Sequence, residues 1–268
     1  MKNAYLLRDE MPADLDCLSE ELRIEAWKNI KINKVNKKSI ISHLPFLYEL
    51  LESQTLWIKV YAWSSVVELH DGGIINTKDM EKLSVLLEHK NEETRYPAWA
   101  GILSIIKNKS PKSLLKIVYS KLSFFYMMLN SKVLWIRTSS WNLAFSMYYS
   151  GILSASNIKK NFKSFYELLQ SRNIEYRYKA WNMVDFFVLE KIGLNAIYRA
   201  KTKYLELLKV KDLELRAHAW ALSPHLIDLK IINTGEMVPY MKYLDNDITK
   251  EVAYLQDLLG TCTNSTCS

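Results

Sequence analysis

Turn-forming residues are scarce in this chain. Its 268 residues include 7 glycines and 6 prolines. A strand-rich fold needs more turn residues than that, so a mostly helical chain is expected. Cysteine is scarcer still. Cys17, Cys262 and Cys267 form an odd set with no Cys-x-x-Cys spacing, which excludes a disulfide framework and points to a reducing compartment. No run of about 18 apolar residues occurs, so no membrane insertion is expected. Arg8, Asp9 and Glu10 interrupt the start before any long apolar stretch, so no secretory leader is predicted. The expectation is a soluble, cytoplasmic protein. The signatures of catalysis are missing as well. There is no Gly-rich phosphate loop, no His-Glu-x-x-His and no Gly-x-Ser-x-Gly. His43, His70, His89, His218 and His225 have no metal-ligand spacing, and Pro224 intervenes between the last two. Neither enzyme activity nor a cofactor nor a metal is expected.

Aromatic residues are plentiful. The 16 tyrosines and 8 tryptophans imply a large, aromatic buried surface. The net charge of +7 permits contact with nucleic acid, anionic lipid or an acidic protein, and requires none of them.

Internal periodicity decides the fold. Seven segments align: those ending at Trp27, Trp63, Trp99, Trp141, Trp181, Trp220 and Tyr254. Four positions before each anchor stands a basic residue: Arg23, Lys59, Arg95, Arg137, Arg177, Arg216 or Lys250. One position before stands Ala26, Ala62, Ala98, Ser140, Ala180, Ala219 or Ala253. A pair of large apolar residues lies thirteen and twelve positions upstream: Leu50–Leu51, Leu86–Leu87, Met128–Leu129, Leu168–Leu169 and Leu207–Leu208. The first unit has only Asp14–Leu15 there, and the last has Tyr243–Leu244 two residues closer. Terminal repeats are expected to be atypical because one face meets water.

Each unit reads as two helices. Helix A is clearest over 39–52 and 157–170, with Ile40, Leu44, Leu47 and Leu51 at helical spacing. Ser39, Thr77 and Asn157 are its expected N-caps. Helix B carries the anchor. Neither hairpin can bury its apolar face alone, so the units are expected to stack. Residues 1–260 are expected to form one repeat domain, and residues 261–268 a frayed tail.

The Arg-x-x-Ala-Trp string resembles the second helix of a HEAT repeat, over roughly residues 14–259. The resemblance implies an all-α fold: a right-handed α-solenoid of six to seven helical hairpins, an α-α superhelix. The chain departs from the family in placing Trp where Ala is usual. It also lacks a regular acid before the basic residue. Glu21, Glu93, Glu175 and Glu214 stand two positions before it, but Trp57, Trp135 and Ile248 stand there elsewhere.

The basic residue and its tryptophan share a helix face, so the cation's aliphatic stem can cover the indole. A cation near a helix start opposes the macrodipole, and Glu93, Glu175 or Glu214 is the expected counter-charge. The ladder is either a structural stack or a row of phosphate-binding cations.

The resemblance places helix B on the concave face. Positions beside the anchors are expected to be exposed there, among them Tyr61, Pro97, Asn142, Lys179, Asn182 and His218. They form no basic strip, so this face suits a protein or peptide partner. Lysines concentrate in the B-to-A connections, where Lys107, Lys109, Lys112, Lys159, Lys160 and Lys163 are candidates for an anion-binding edge open to nucleic acid. The other edge is acidic, with Glu49, Glu88, Glu92, Asp212 and Asp245 among its residues. Part of this division follows from helix chemistry, since cations favour helix C-termini and acids N-termini. Finally, Trp181-Asn182-Met183-Val184-Asp185 resembles the Trp-x-x-Val-Asp segment of HEAT-like alkylpurine DNA glycosylases. That resemblance implies Asp185 as a catalytic carboxylate with Trp181 on the lesion. The alternative is that Asp185 pairs with a cation of the next repeat, such as Arg216.

Overall fold

The computed structural model describes residues 15–31, 35–109, 111–244 and 247–250. Asp14, Asp245, Ala253, Tyr254, Cys262, Cys267 and the 261–268 segment lie outside the described residues, as does the side chain of Lys109. Helices and 3-10 turns are the regular elements, with no strand among the described residues. The chain divides into two compact units, residues 1–128 and 129–268.

Unit 1 holds α1 (Glu20–Lys28), α2 (Lys37–Leu50), α3 (Leu56–Asp71), α4 (Thr77–Leu83), α5 (Glu92–Lys109) and α6 (Lys112–Ser120). A further helix, α7 (Leu122–Leu129), runs to the unit boundary. The anchor helices pack in sequence, α1 on α3 and α3 on α5, while α2 and α4 lie beside them. Unit 2 holds α8 (Leu134–Tyr149), α9 (Ala155–Leu169), α10 (Ile174–Trp181), α11 (Val184–Leu189), α12 (Leu194–Leu205), α13 (Leu213–Asp228) and α14 (Thr234–Met237). Here α8 packs on α10 and α10 on α13, with α9 against α12.

The anchors fill the core. Trp27, Trp63, Trp99, Trp141 and Trp181 are fully buried. Their spacing from the upstream apolar pair has a direct cause. The indole N–H of Trp27 donates to the Leu15 carbonyl at 3.3 Å, Trp99 to Leu87 at 3.0 Å, Trp181 to Leu169 at 3.2 Å and Trp220 to Leu208 at 3.1 Å. Leu169 ends α9, and Leu87 and Leu208 lie in the 3-10 turns Ser84–Glu88 and Glu206–Lys209 that follow α4 and α12, where carbonyls lose their intrahelical partners. One bond thus satisfies a buried donor and an orphaned acceptor. The indole N–H groups of Trp63 and Trp141 find no such partner. Their helices also start without a side-chain cap, at Thr55 and Val133, whereas Ser19, Asn173 and Asp212 cap α1, α10 and α13.

The helix A starts lie earlier than the expected caps. Asn36, Asn76 and Ser154, not Ser39, Thr77 and Asn157, accept the first free amide N–H groups of α2, α4 and α9. The Asn157 side chain instead answers back as the capping-box partner of Ser154.

Helix B leaves through a left-handed residue ten positions after its tryptophan. That residue is Gly73 (φ 69°), Gly151 (φ 72°), Lys191 (φ 54°) or Lys230 (φ 58°). The following amide closes back on the helix: Ile74 to Leu69, Ile152 to Met147, Ile192 to Phe187 and Ile231 to Leu226, all at 2.8–3.0 Å. This is a Schellman-type C-cap. Glycine adopts it freely, while an L-residue with a Cβ incurs roughly 1–2 kcal/mol.

Candidate functional site

The basic ladder is built into the helix packing. Arg23 of α1 donates to Glu49 at 2.7 Å and to the Phe46 carbonyl at 3.4 Å. Arg137 of α8 reaches Glu167 at 3.1 Å, and Arg177 of α10 reaches Glu206 at 3.1 Å. Each of these acceptors immediately precedes the apolar pair of the next helix A. Glu175 and Glu214 are therefore not the counter-charges of the ladder, while Glu93 acts on the neighbouring rung through its charge on Lys59. All three sit in the first turn of helix B, and Glu175 pairs there with Lys179. Three rungs lack a glutamate at the equivalent position, where Val85, Met127 and Lys242 stand. There Lys59 bonds Thr94 Oγ1 at 3.3 Å, and Arg95 turns back to Glu92 and the His89 carbonyl, each at 3.2 Å. Arg216 donates to the Val210 carbonyl at 3.3 Å, and Lys250 is exposed.

Burial follows this division. Lys59 is 1% exposed and Arg95 2%, so neither is offered to a ligand. Desolvation pulls the Lys59 ammonium below its usual range, offset in part by the charge of Glu93. Burial alone would raise the Glu206 carboxyl, but Lys203 and Arg177 hold it below the usual range. A row of phosphate-binding cations needs free guanidinium and ammonium groups. The first six rungs are instead engaged within the protein.

In unit 1, Tyr61 is exposed on α3, edge-on to the exposed Trp57 at 6.1 Å, with the Lys28 ammonium 4.5 Å above its ring. Beside them a shallow cavity of about 380 Å³ opens between α3 and α5, lined by Val60, Trp63, Val67, Glu68, Pro97 and Gly101 among others. Pro97 is itself buried, which corrects its expected exposure. The close approach of α3 and α5 causes this. A Cβ on Gly101 would lie 2.4 Å from the Trp63 ring, so the next turn of α5 is pressed into α3 as well.

In unit 2, Lys179 and His218 come together with Glu175, Tyr178, Asp212 and Glu214 around a second cavity of about 380 Å³. It is acidic and hydrogen-bonded to itself: Lys179 pairs with Glu175, and His218 Nδ1 lies 2.8 Å from the Glu214 carbonyl. Asn142 and Asn182 are exposed but line neither cavity.

The basic-edge residues Lys107, Lys112, Lys159, Lys160 and Lys163 are exposed. Helix-end preference accounts for few of them. Lys107 is in the last turn of α5, but Lys112 opens α6, and Lys159, Lys160 and Lys163 lie within α9. The first turns of α2 and α6 carry no acid but hold Lys37, Lys38 and Lys112, where the macrodipole disfavours a cation.

Asp185 does not meet Arg216. It lies in the first turn of α11, where a carboxylate suits the helix macrodipole, and accepts the Phe186 amide N–H at 2.8 Å. A turn at 182–183 separates α10 from α11, so the helix does not carry Trp181 and Asp185 on one continuous face. Trp181 is fully buried, bonded to Leu169 and stacked on Tyr204 at 5.4 Å. Its ring is not available to a base. Among the described residues, no group of three His, Cys, Asp or Glu side chains could hold a metal, and no helix is long and apolar enough to cross a membrane.

No protein-family model matches the chain, and no curated protein matches it. Solved structures of engineered proteins show a remote likeness. One shares 14% identity, covers 94% of this chain and 96% of its own, and gives a TM-score of 0.39. A second shares 15%, covers 91% and 76%, and gives 0.41. A third shares 15%, covers 96% and 98%, and gives 0.30. Likenesses this weak leave the fold to the chain's own packing: an all-α, multi-helix protein.

Proposed function

We propose that the chain is a non-catalytic, HEAT-like helical-repeat scaffold that docks a protein or peptide through its helix B face. The single right-handed α-solenoid over residues 1–260 belongs to this proposal and rests on the register of the sequence repeats. The observation that carries the function is the apolar strip of unit 1. Trp57, Val60 and Tyr61 are 42–44% exposed on α3, and Val60 also lines the cavity between α3 and α5. Exposed tryptophan and tyrosine beside a concave apolar surface are what interface hot spots are made of. The ladder residues, being engaged inside the packing, serve as its frame.

Affinity capture from the protein's native cell extract tests this. A specific protein should co-purify, and Trp57→Ala with Tyr61→Ala should weaken its binding by about 2 kcal/mol or more. Asn142→Ala in unit 2 serves as the control and should leave binding unchanged. If nothing co-purifies, or if capture survives the loss of both aromatics, unit 1 is not the docking face.

A further inference from the structure

Lysine is an expensive choice for the left-handed turn residue, and unit 2 makes it twice. Gly73 and Gly151 show that the same turn closes with glycine, so the hairpin does not require Lys191 or Lys230. A backbone outlier kept without structural need points to a role for the side chain. Both lysines are exposed and carry no ion-pair partner among the described residues.

The two turns are related by the repeat and sit on equivalent ground. Lys230 lines a cavity of about 320 Å³ with Tyr198 and Lys201 of α12. The preceding turn meets α9 in the same way: a Cβ on Gly193 would fall 2.2 Å from the Phe162 ring. Phe162 holds the register position of Lys201, and Lys160 that of Arg199. At the Lys230 turn a second cation, Lys201, lines the same cavity and pairs with Glu236. Exposed aromatics alternate with them. Tyr198 is 37% exposed and Tyr149 73%. Tyr149 ends α8 beside Phe186 of α11, at 6.1 Å, close to where α11 gives way to Lys191.

We infer that this turn edge of unit 2 binds single-stranded nucleic acid, with Lys191 and Lys230 on phosphates and Tyr149 and Tyr198 stacking on bases. Cations that track a backbone, interleaved with ring faces, are the common design of such surfaces. A protein partner fits less well, since lysine is depleted from protein interfaces. A lipid surface fits less well, since among these groups only the tyrosine rings would enter the apolar region. This surface and the docking face of unit 1 share no residue, so either can fail alone.

The test is fluorescence anisotropy of the full chain with a labelled, mixed-sequence single strand of about 20 nucleotides, a length that spans one or more typical sites, titrated across salt. Binding should weaken steeply as salt rises. Lys191→Gly with Lys230→Gly should reduce the salt slope by about 1.4, at roughly 0.7 for each phosphate no longer neutralised. The same variant should keep or raise Tm, because glycine relieves the left-handed strain, so weaker binding cannot be ascribed to a failure to fold. Tyr149→Ala with Tyr198→Ala should cost roughly tenfold or more in affinity. No binding at low salt overturns the assignment. So does a salt slope unchanged by the glycine variants, a preference for duplex, or binding confined to phosphatidylserine vesicles.

Discussion

The two units solve the same electrostatic problem differently. In unit 2, Arg137 and Arg177 each reach a glutamate on the next helix A, at 3.1 Å. In unit 1 Arg23 does so, but Lys59 and Arg95 meet Val85 and Met127 in that place and are buried almost completely. Arg95 falls back on Glu92 of its own helix, and Lys59 on Thr94 and the charge of Glu93, so both cations bear a desolvation cost without a glutamate from the next hairpin. Something else must hold α3 and α5 together. The close fit of Gly101 against Trp63 does so, letting the two backbones approach closely. Unit 2 carries instead an aromatic cluster, in which Phe187 lies 4.1 Å from Phe165 and 5.6 Å from Trp141. Ion pairs thus register the helices where they occur, and apolar packing supplies most of the adhesion in both units.

The largest break in that comparison should come from the cluster. Phe187→Ala removes a fully buried ring and should destabilise by about 3–5 kcal/mol in urea unfolding. Gly101→Val forces a branched side chain into the Trp63 ring and should cost about 1–3 kcal/mol. If Gly101→Val is neutral, the close approach of α3 and α5 is not what compensates unit 1 for its missing rungs.

The repeat itself is legible in the sequence because its cause is local and strict. At Trp27, Trp99, Trp181 and Trp220 the indole reaches the carbonyl twelve residues back, and Trp63 and Trp141 keep the same spacing through burial alone. The counter-charges are harder to find. The nearest acids, Glu93, Glu175 and Glu214, stand two positions before the cation on the same helix, and none of them pairs with that cation, though Glu93 acts on Lys59 of the preceding repeat. The pairing runs across helices, to the residue before the next leucine pair. Its signal is nonetheless present: glutamate stands there in three units, as Glu49, Glu167 and Glu206, and is absent in three, where Val85, Met127 and Lys242 stand. The burial of Pro97 is not legible, because it depends on the side chain that Gly101 lacks, and no periodicity conveys that. The turn lysines are hidden because a left-handed residue is sought first at glycine. Aligning ten positions past each tryptophan places Lys191 and Lys230 beside Gly73 and Gly151.

A smaller effect separates a buried lysine from a paired one. Lys59→Met keeps the stem and removes the charge, so it should be neutral or stabilise by about 1 kcal/mol. It should also change the response to alkali. The Lys59 pKa is lowered on folding by burial, so between its folded and unfolded values the unfolded chain holds the extra proton. Stability then gains with rising pH in that window, and below it the charged form penalises the fold. The Met variant should lose this gain in unfolding experiments run at neutral and alkaline pH. An unchanged pH profile would mean that Lys59 is better solvated than its burial implies.

The finest test gives unit 1 the rung it lacks. Val85 is 57% exposed, close to the 62% of the Glu49 side chain, so Val85→Glu places a carboxylate where it need not be buried. Lys59 stands to residue 85 as Arg23 stands to Glu49 in the register of the repeats. The new pair should stabilise by about 0.5–1 kcal/mol, the range of a partly exposed bridge. The gain should vanish in the Lys59→Met background, which a double-mutant cycle reads directly. The Lys59 pKa should rise as well, shrinking the alkaline gain from the other direction. If Val85→Glu stabilises equally with and without Lys59, the glutamate before the leucine pair acts as a surface charge, and the rungs of unit 2 do not owe their order to it.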